Sequence, residues 1–450
     1  MNDWFDAEQH VERAHELYEA GRWDEAETEL REALALNPYR AEWHFNLGLT
    51  LEAAGRWEHA IRAFRDAHAL EPRDYQTTLL VGVNSLRIDQ PTQAIEWLAL
   101  AQNNDTSRAD PFVYRIEAYA RLNDHEQAEV MFYRALQLEG DHALAYANMA
   151  ESLIDRGLYD RAVYCLREAA SLDPTLARIH ARLGQAYAET GRYERARQLF
   201  LRELRDNPGD LDTLLDLGCL LVQMNRLAEA GEKMRRVLEL DSDCVDAHYY
   251  LADLAVRQQR YKDAIAGYRL VLRLDPNYPE VRRRLARLLI DEDEVGQARR
   301  LLRAELLDWR RSPANLLADD LDDLGRLLLD VRLPKEAARV FAVLTDKRPQ
   351  DASAWHHLGL AMLQTGDRAI GVAACKRAVR LDPNHVSALH NLAYAHLQER
   401  KWSRARSYVK RALRVTPDDP ALKRLRLTLS LQRLGTAMLA TMRLGSRRRA

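Results

Sequence analysis

Along the chain, apolar residues recur at helical spacing in runs of about fourteen, and the whole pattern returns every 34 residues. Units begin at Ala7, Ala41, Tyr75, Ala109, Ala143, Ala177, Leu211, Val245 and Pro279 without a single slip. Three more begin at Ala318, Ala352 and Val386, after an insertion over Pro313 to Leu317, which makes twelve. Within a unit, positions 1–14 and 17–30 each predict a helix, here called A and B, joined by a tight turn. Position 20 never exceeds a methyl group, as at Ala26, Ala162, Ala298 and Gly371. Position 8 is small in every unit but the fourth, which has Ile116. Two small positions twelve residues apart let two helices approach closely, and large residues at position 24, such as Leu30, Phe64, Phe200 and Phe341, are expected to fill the space between them.

The punctuation agrees with the periodicity. Position 15 is often glycine (Gly21, Gly55, Gly157, Gly191, Gly366), which supplies the left-handed backbone that ends helix A. Position 17 is aromatic in six units (Trp23, Trp57, Tyr159, Tyr193, Tyr261 and Trp402) and proline at Pro91 and Pro334, where proline fits a first helical turn that needs no N–H partner. Position 32 is proline in eight units, from Pro38 to Pro417, and stops helix B.

These residues resemble the tetratricopeptide repeat family, with its 34-residue helix-turn-helix and its Leu-Gly, Tyr, Ala, Phe and Pro at fixed offsets. The likeness covers residues 7–419 apart from the insertion. The 35-residue repeat of the RNA-reading pentatricopeptide family would slip by eight residues over the first nine starts, and no slip occurs. The resemblance implies an all-α, right-handed superhelical solenoid with A helices lining a concave face, stabilised by contacts between neighbouring units and needing caps at both ends. The expected organisation is an N-terminal cap over 1–6 containing Trp4 and Phe5, nine repeats over 7–312, and an insertion acting as a hinge or a lengthened helix over 313–317. Three repeats over 318–419, a capping helix over 420–434 and a basic tail over 435–450 complete it.

In such an array the inner face would hold a peptide through positions 2, 5, 6, 9, 12 and 13 of helix A. Position 6 is asparagine at Asn46, Asn148 and Asn391. In the sugar-transferase branch of the family an asparagine ladder there grips a peptide backbone, since an amide donates and accepts at once. Here the ladder is broken by residues such as Leu80, Arg182, Asp216 and Tyr250. Asn148, Arg178 and Arg182 also resemble half of the chaperone-binding carboxylate clamp, but Val113 and Glu117 stand where that clamp needs lysine and asparagine. A second reading pairs Arg178 and Arg182 with Asp212 and Asp216 of the next unit, and Arg283 and Arg284 with Asp322 and Asp323. Exposed pairs of this kind contribute about 0–1 kcal/mol each. Histidines gather at His356, His357, His390 and His396, read as a polar groove wall rather than a metal site. His44, His180 and His248 at position 4 are read as packing residues in place of the family's tryptophan.

Composition narrows the function class. With 66 Lys plus Arg against 68 Asp plus Glu the net charge of the 450 residues is -2. Residues 420–450 nevertheless hold eight cations and no acid, which leaves -10 for residues 1–419. Leu434, Met438, Leu439, Met442 and Leu444 give this basic segment an apolar side. An acidic array argues against an RNA-reading groove, because phosphate binding needs a positive track. No GxSxG, HExxH, Walker loop, GxGxxG or EF-hand pattern occurs, so neither catalysis nor a cofactor is expected. Cys165, Cys219, Cys244 and Cys375 lack the CxxC spacing of zinc sites and read as small buried hydrophobes. The opening residues, with Asp3 and Asp6 and no basic-then-apolar run, predict no secretory leader and a cytoplasmic protein. The sequence therefore points to a protein-interaction scaffold with a peptide or partner protein in its groove. The groove candidates are Asn46, Asn148, Arg178, Arg182, Tyr250, Arg283, Arg284, His357 and Asn391. The alternatives are an adaptor for a membrane surface or nucleic acid through the tail, or the regulatory subunit of an enzyme on another chain.

Overall fold

A computed structural model describes residues 2–312 and 317–431, with side chains from residue 5 onward. Among the described residues the secondary structure is helical, without a strand. The chain divides into two compact units, residues 1–242 and 243–450. The first holds seven helix pairs: α1 (Asn2–Glu19) with α2 (Trp23–Leu36), α3 (Ala41–Ala53) with α4 (Trp57–Leu70), α5 (Tyr75–Arg87) with α6 (Pro91–Asn104), and α7 (Asp110–Arg121) with α8 (His125–Leu138). It continues through α9 (Ala143–Asp155) with α10 (Tyr159–Leu172), α11 (Ile179–Glu189) with α12 (Tyr193–Asp206), and α13 (Leu211–Gln223) with α14 (Leu227–Leu240). The second holds α15 (Val245–Arg257) with α16 (Tyr261–Leu274), α17 (Val281–Asp291) with α18 (Val295–Arg311), and α19 (Ala318–Asp330) with α20 (Pro334–Lys347). The pairs α21 (Ala352–Thr365) with α22 (Arg368–Leu381) and α23 (Val386–Gln398) with α24 (Trp402–Val415) follow, and residues 420–431 form α25. Each unit is an all-α solenoid.

The small positions work as the pattern requires. A Cβ added at Gly48, Gly184 or Gly325 would lie 2.4, 3.0 or 2.6 Å from the ring of Phe64, Phe200 or Phe341, so position 8 of helix A receives position 24 of helix B. The same holds for Gly82 with Leu98, Gly218 with Met234 and Gly359 with Cys375. In the eleventh repeat Gly359 and Gly371 are so close that a Cβ on either would stand about 3 Å from the other's carbonyl oxygen. Ile116 is the exception. It is fully buried, and the opposing Phe132 packs edge-on against Tyr146 of the next repeat at 5.2 Å. Stacked pairs merge into seams, one running from Ala14 to Val81 and another from Ala252 to Ala374.

Position 15 adopts the left-handed conformation in all twelve repeats, although only five have glycine there. The others are Asp89, Asn123, Asn225, Gln259, Asp293, Arg332 and Arg400, with φ between 57° and 62°. In eleven repeats the next N–H returns to the carbonyl five residues back, as from Arg22 to Leu17 at 2.9 Å, which satisfies an orphan at the helix end. That bond fixes the conformation whatever the residue, and side chains other than Asn and Asp tolerate it poorly, at about 1–2 kcal/mol. Arg332→Gly and Arg400→Gly are each expected to raise stability by about 1 kcal/mol, readable by thermal unfolding, with no gain from the alanine versions.

The proline that stops helix B leaves its own carbonyl to be satisfied. The indole of Trp355 donates to Pro349 O at 3.0 Å, His44 Nε2 to Pro38 O at 2.9 Å and Arg282 Nη2 to Pro276 O at 2.6 Å. All three stand at position 4, so His44 replaces tryptophan in its hydrogen bond. His180, at the same position, is buried beside Glu203 instead.

Three local departures concern the termini and the junction. Residues 2–6 are the first turns of α1, Phe5 is 58% exposed, and the Trp4 side chain lies outside the described residues. Helix α18 has 17 residues where other B helices have 14, and of the insertion only Leu317 is described, capping α19 with its N–H on Asp320. Residues 432–434 of the expected capping helix and the tail 435–450 lie outside the described residues. Cys165 and Cys375 are buried, and burial pushes their thiols up to about 11 and about 12; Cys219 and Cys244 are only partly covered.

Candidate functional site

The inner-face candidates fall into three settings. Around Asn148, residues of α7, α9 and α11 line a hollow of about 460 Å³. Asn148 is buried and donates from Nδ2 to Val113 O at 3.1 Å, which ties its amide to the preceding repeat. Arg182 pairs backward with Glu151 at 3.0 Å, not forward with Asp216 as expected; Asp216 accepts from Gln185 instead. Arg178 does pair with Asp212, at 2.7 Å. It does so from outside the helix, as a left-handed N-cap with φ 58°, because α11 starts two residues late. Glu117 is held by Arg121 at 2.5 Å. The half clamp is not assembled: each of its polar groups already has a partner.

In the second unit the expected Arg283 and Arg284 pairs with Asp322 and Asp323 do not form. Arg283 is only 4% exposed and lies between Asp320 at 2.7 Å and Glu305 at 3.4 Å, bridging α17, α18 and α19. Arg284 pairs with Asp253 at 2.6 Å and Glu280 at 2.9 Å, its guanidinium 5.5 Å from the Tyr249 ring centroid. Arg287 takes Asp323. The register differs because Glu280, like Arg178, is a left-handed N-cap, so α17 also begins late. Tyr250 packs edge-on against Tyr249 at 5.3 Å. Sequence reasoning missed Glu305, which sits on helix B; burial pushes its carboxyl up while Arg283 and Arg282 pull it down.

The histidines cluster differently from the sequence expectation. The rings of His357 and His385 each lie 4.9 Å from that of His356, whereas His396 stacks on Tyr408. His357 stacks on Phe341 and stands 3.5 Å from Asp322. Asn391 Nδ2 donates to His356 Nε2 at 3.1 Å, so that nitrogen is unprotonated and the buried ring neutral. Burial first, then His357 and His385, depress the His356 pKa to about 3. Below the ordinary value near 6.5 the unfolded chain binds a proton that the folded chain refuses. This contribution is therefore full above about pH 6.5 and declines toward pH 3, at up to about 1.4 kcal/mol per pH unit. Replacing His356 with Gln is expected to flatten that part of the stability-pH curve, measured by denaturant unfolding of the last three repeats' amides.

The third setting is the hollow of about 240 Å³ between α1 and α3, lined in part by Val11, Tyr18, Leu49 and Asn46. The Asn46 side-chain amide has no partner among the described residues; only its backbone carbonyl is used, by Thr50. Of the three ladder asparagines it alone stays open, because no acceptor such as Val113 O or His356 Nε2 stands beside it. One His/Glu grouping with metal-ligand spacing occurs among the described residues, His10 of α1 with Glu29 and Glu32 of α2. No helix among the described residues is long and apolar enough to cross a membrane.

Tetratricopeptide repeat profiles match residues 11–75, 215–279 and 323–386, and further profiles of the same repeat match 150–191, 179–212, 255–308 and 362–428. The chain belongs to the tetratricopeptide repeat family, whose fold serves as a protein-interaction scaffold. No curated protein matches its sequence significantly. Among solved structures it is similar to the human IFIT1 dimer with PPP-AAAA, at 15% identity over 84% of this chain and 91% of that one, TM-score 0.47. It is also similar to Pseudomonas aeruginosa pilF, at 20% identity over 48% of this chain and 99% of that one, TM-score 0.43. Yeast Tom70 is 13% identical over 95% and 96% of the two chains, TM-score 0.37. These likenesses are of fold alone.

Proposed function

We propose that this chain is a non-catalytic scaffold that holds a peptide segment of a partner protein on the inner face of its A helices, with the contact centred on Asn46. The supporting observation is the contrast among the three asparagines: Asn148 and Asn391 are bound within the chain, while the Asn46 amide is open beside an apolar hollow. An amide there can accept and donate to a peptide backbone as its apolar surroundings exclude water. The arginine sites would then set register between repeats, since their charges are already paired. A photo-crosslinking residue at Leu49 should form a defined adduct with one partner peptide, weakened by Asn46→Ala. Adducts from the exposed Tyr133 position on α8 but none from Leu49 would overturn this reading.

A second reading, an adaptor for an anionic membrane or nucleic acid, is favoured by α25. Leu427 and Leu431, one turn apart, are 62% and 60% exposed, beside Arg424 and Arg426. Deleting 435–450 should abolish binding to phosphatidylserine vesicles or to nucleic acid; unchanged binding would dispose of it.

A further inference from the structure

We infer that the hollow between α1 and α3 accepts one aliphatic or aromatic side chain of a segment whose flanking residues are lysine or arginine. This rests on the groove reading above and specifies its ligand. Size comes first. At about 240 Å³ the hollow is smaller than the roughly 300–1,000 Å³ of small-molecule sites, so a single side chain suits it better than a whole metabolite. Its walls are apolar at Val11, Tyr18 and Leu49, with Asn46 placed among them as the group for the ligand's backbone.

Charge decides the flanks. On α1, Glu8, Glu12 and Glu19 fall at i, i+4 and i+11, with His15 at i+7, and form one stripe of the helix that borders Val11 and Tyr18. On α3, Glu42 precedes Asn46 by four residues and Leu49 by seven, on the matching stripe. Glu8, Glu12 and Glu42 have no ion-pair partner among the described residues, and Glu19 has only His15 at 3.5 Å. The arginine of α1 is turned away: Arg13 faces Glu29 of α2, as His10 does. No lysine or arginine lines the hollow. At the Asn148 hollow, by contrast, Arg121 and Arg182 supply positive charge to the nearby acids, and in the second unit Arg283, Arg284 and Arg287 do so. Glu19 lines the hollow itself, and Glu8, Glu12 and Glu42 stand on the same faces of α1 and α3 just beyond it, three carboxylates without an ion-pair partner among the described residues. A basic segment with one apolar anchor complements both features.

The test uses the full chain and labelled nonapeptides in fluorescence anisotropy. One peptide carries a central leucine flanked by lysines and glycines, a second replaces that leucine with serine, and a third replaces the lysines with glutamates. The lysine-leucine peptide should bind, losing about 10–150-fold on leucine removal and weakening with salt. The protein variant Glu12→Lys with Glu42→Lys, its fold checked by circular dichroism, should bind it at least tenfold more weakly. If the glutamate peptide binds as well as the lysine peptide and Asn46→Ala weakens both, the groove reading stands and the basic class is wrong. If the lysine peptide binds equally to native chain, Asn46→Ala and the charge-reversed variant, it sits elsewhere and both readings fall. If no peptide binds, this inference is overturned, and crosslinking from Leu49 alone decides the groove.

Discussion

Arg283→Ala is expected to destabilise the second unit by about 3–5 kcal/mol. The side chain is buried between Asp320 and Glu305, so truncation opens a cavity and leaves two partly buried acids facing each other, with Arg282 near Glu305 at 3.6 Å as the remaining cation. Breaking one side of a buried pair costs far more than the intact pair contributes, because the remaining charge keeps its desolvation penalty. Arg283→Met together with Glu305→Gln and Asp320→Asn removes the stranded charge and should recover most of the loss. Hydrogen exchange in α17–α20 is the suitable readout, since solenoid stability is local and a single melting temperature averages over it. A loss under 1 kcal/mol would mean that water reaches the acids, and that Arg283 is a surface pair after all.

Gly325→Ala is expected to cost about 1–3 kcal/mol. Its new methyl would stand 2.6 Å from the Phe341 ring, which is fully buried with no room to retreat. The chain itself indicates the remedy. Where position 8 is alanine, position 24 is leucine in three repeats, Ala14 with Leu30, Ala150 with Leu166 and Ala286 with Leu302. Gly325→Ala with Phe341→Leu should therefore be more stable than the sum of the single effects predicts. A double-mutant cycle with coupling of about 1 kcal/mol or more would establish the pairing; additive effects would mean that the helices simply move apart. Gly359→Ala should be harder to rescue, because it meets backbone as well as the Cys375 side chain.

These two sites also mark how far the sequence is legible. The pairing of positions 8 and 24 is readable because a strict 34-residue period repeats one geometry twelve times, so small and large residues align in columns. The left-handed turn is readable where position 15 is glycine; at Gln259 or Arg332 the residue itself argues against it, and the structure shows it there as well. The arginine partners are not readable. Late helix starts at Arg178 and Glu280 alter the reach of each side chain, and Arg283 finds Glu305 on the helix B of its own repeat rather than only an acid on the next helix A. A column of like residues also hides their individual fates. Asn46, Asn148 and Asn391 share one repeat position, and only the neighbouring carbonyl or imidazole distinguishes a bound amide from an open one. His390 was expected in the histidine cluster, but the third ring there is His385, the residue just before helix α23.

The proline carbonyl has a consequence for engineering. Its acceptor is the last feature of one repeat and its donor, His44, Trp355 or Arg282, is an early feature of the next. A chimera cut between positions 32 and 4 takes the two halves of that bond from different parents, and a donor too short to reach leaves the oxygen without its partner. A cut within the A–B turn keeps both halves together, since every repeat there has a left-handed residue at position 15 whatever its side chain. The module that can be exchanged without breaking a junction is therefore helix B with the following helix A, offset by half a period from the unit that the sequence motif delimits.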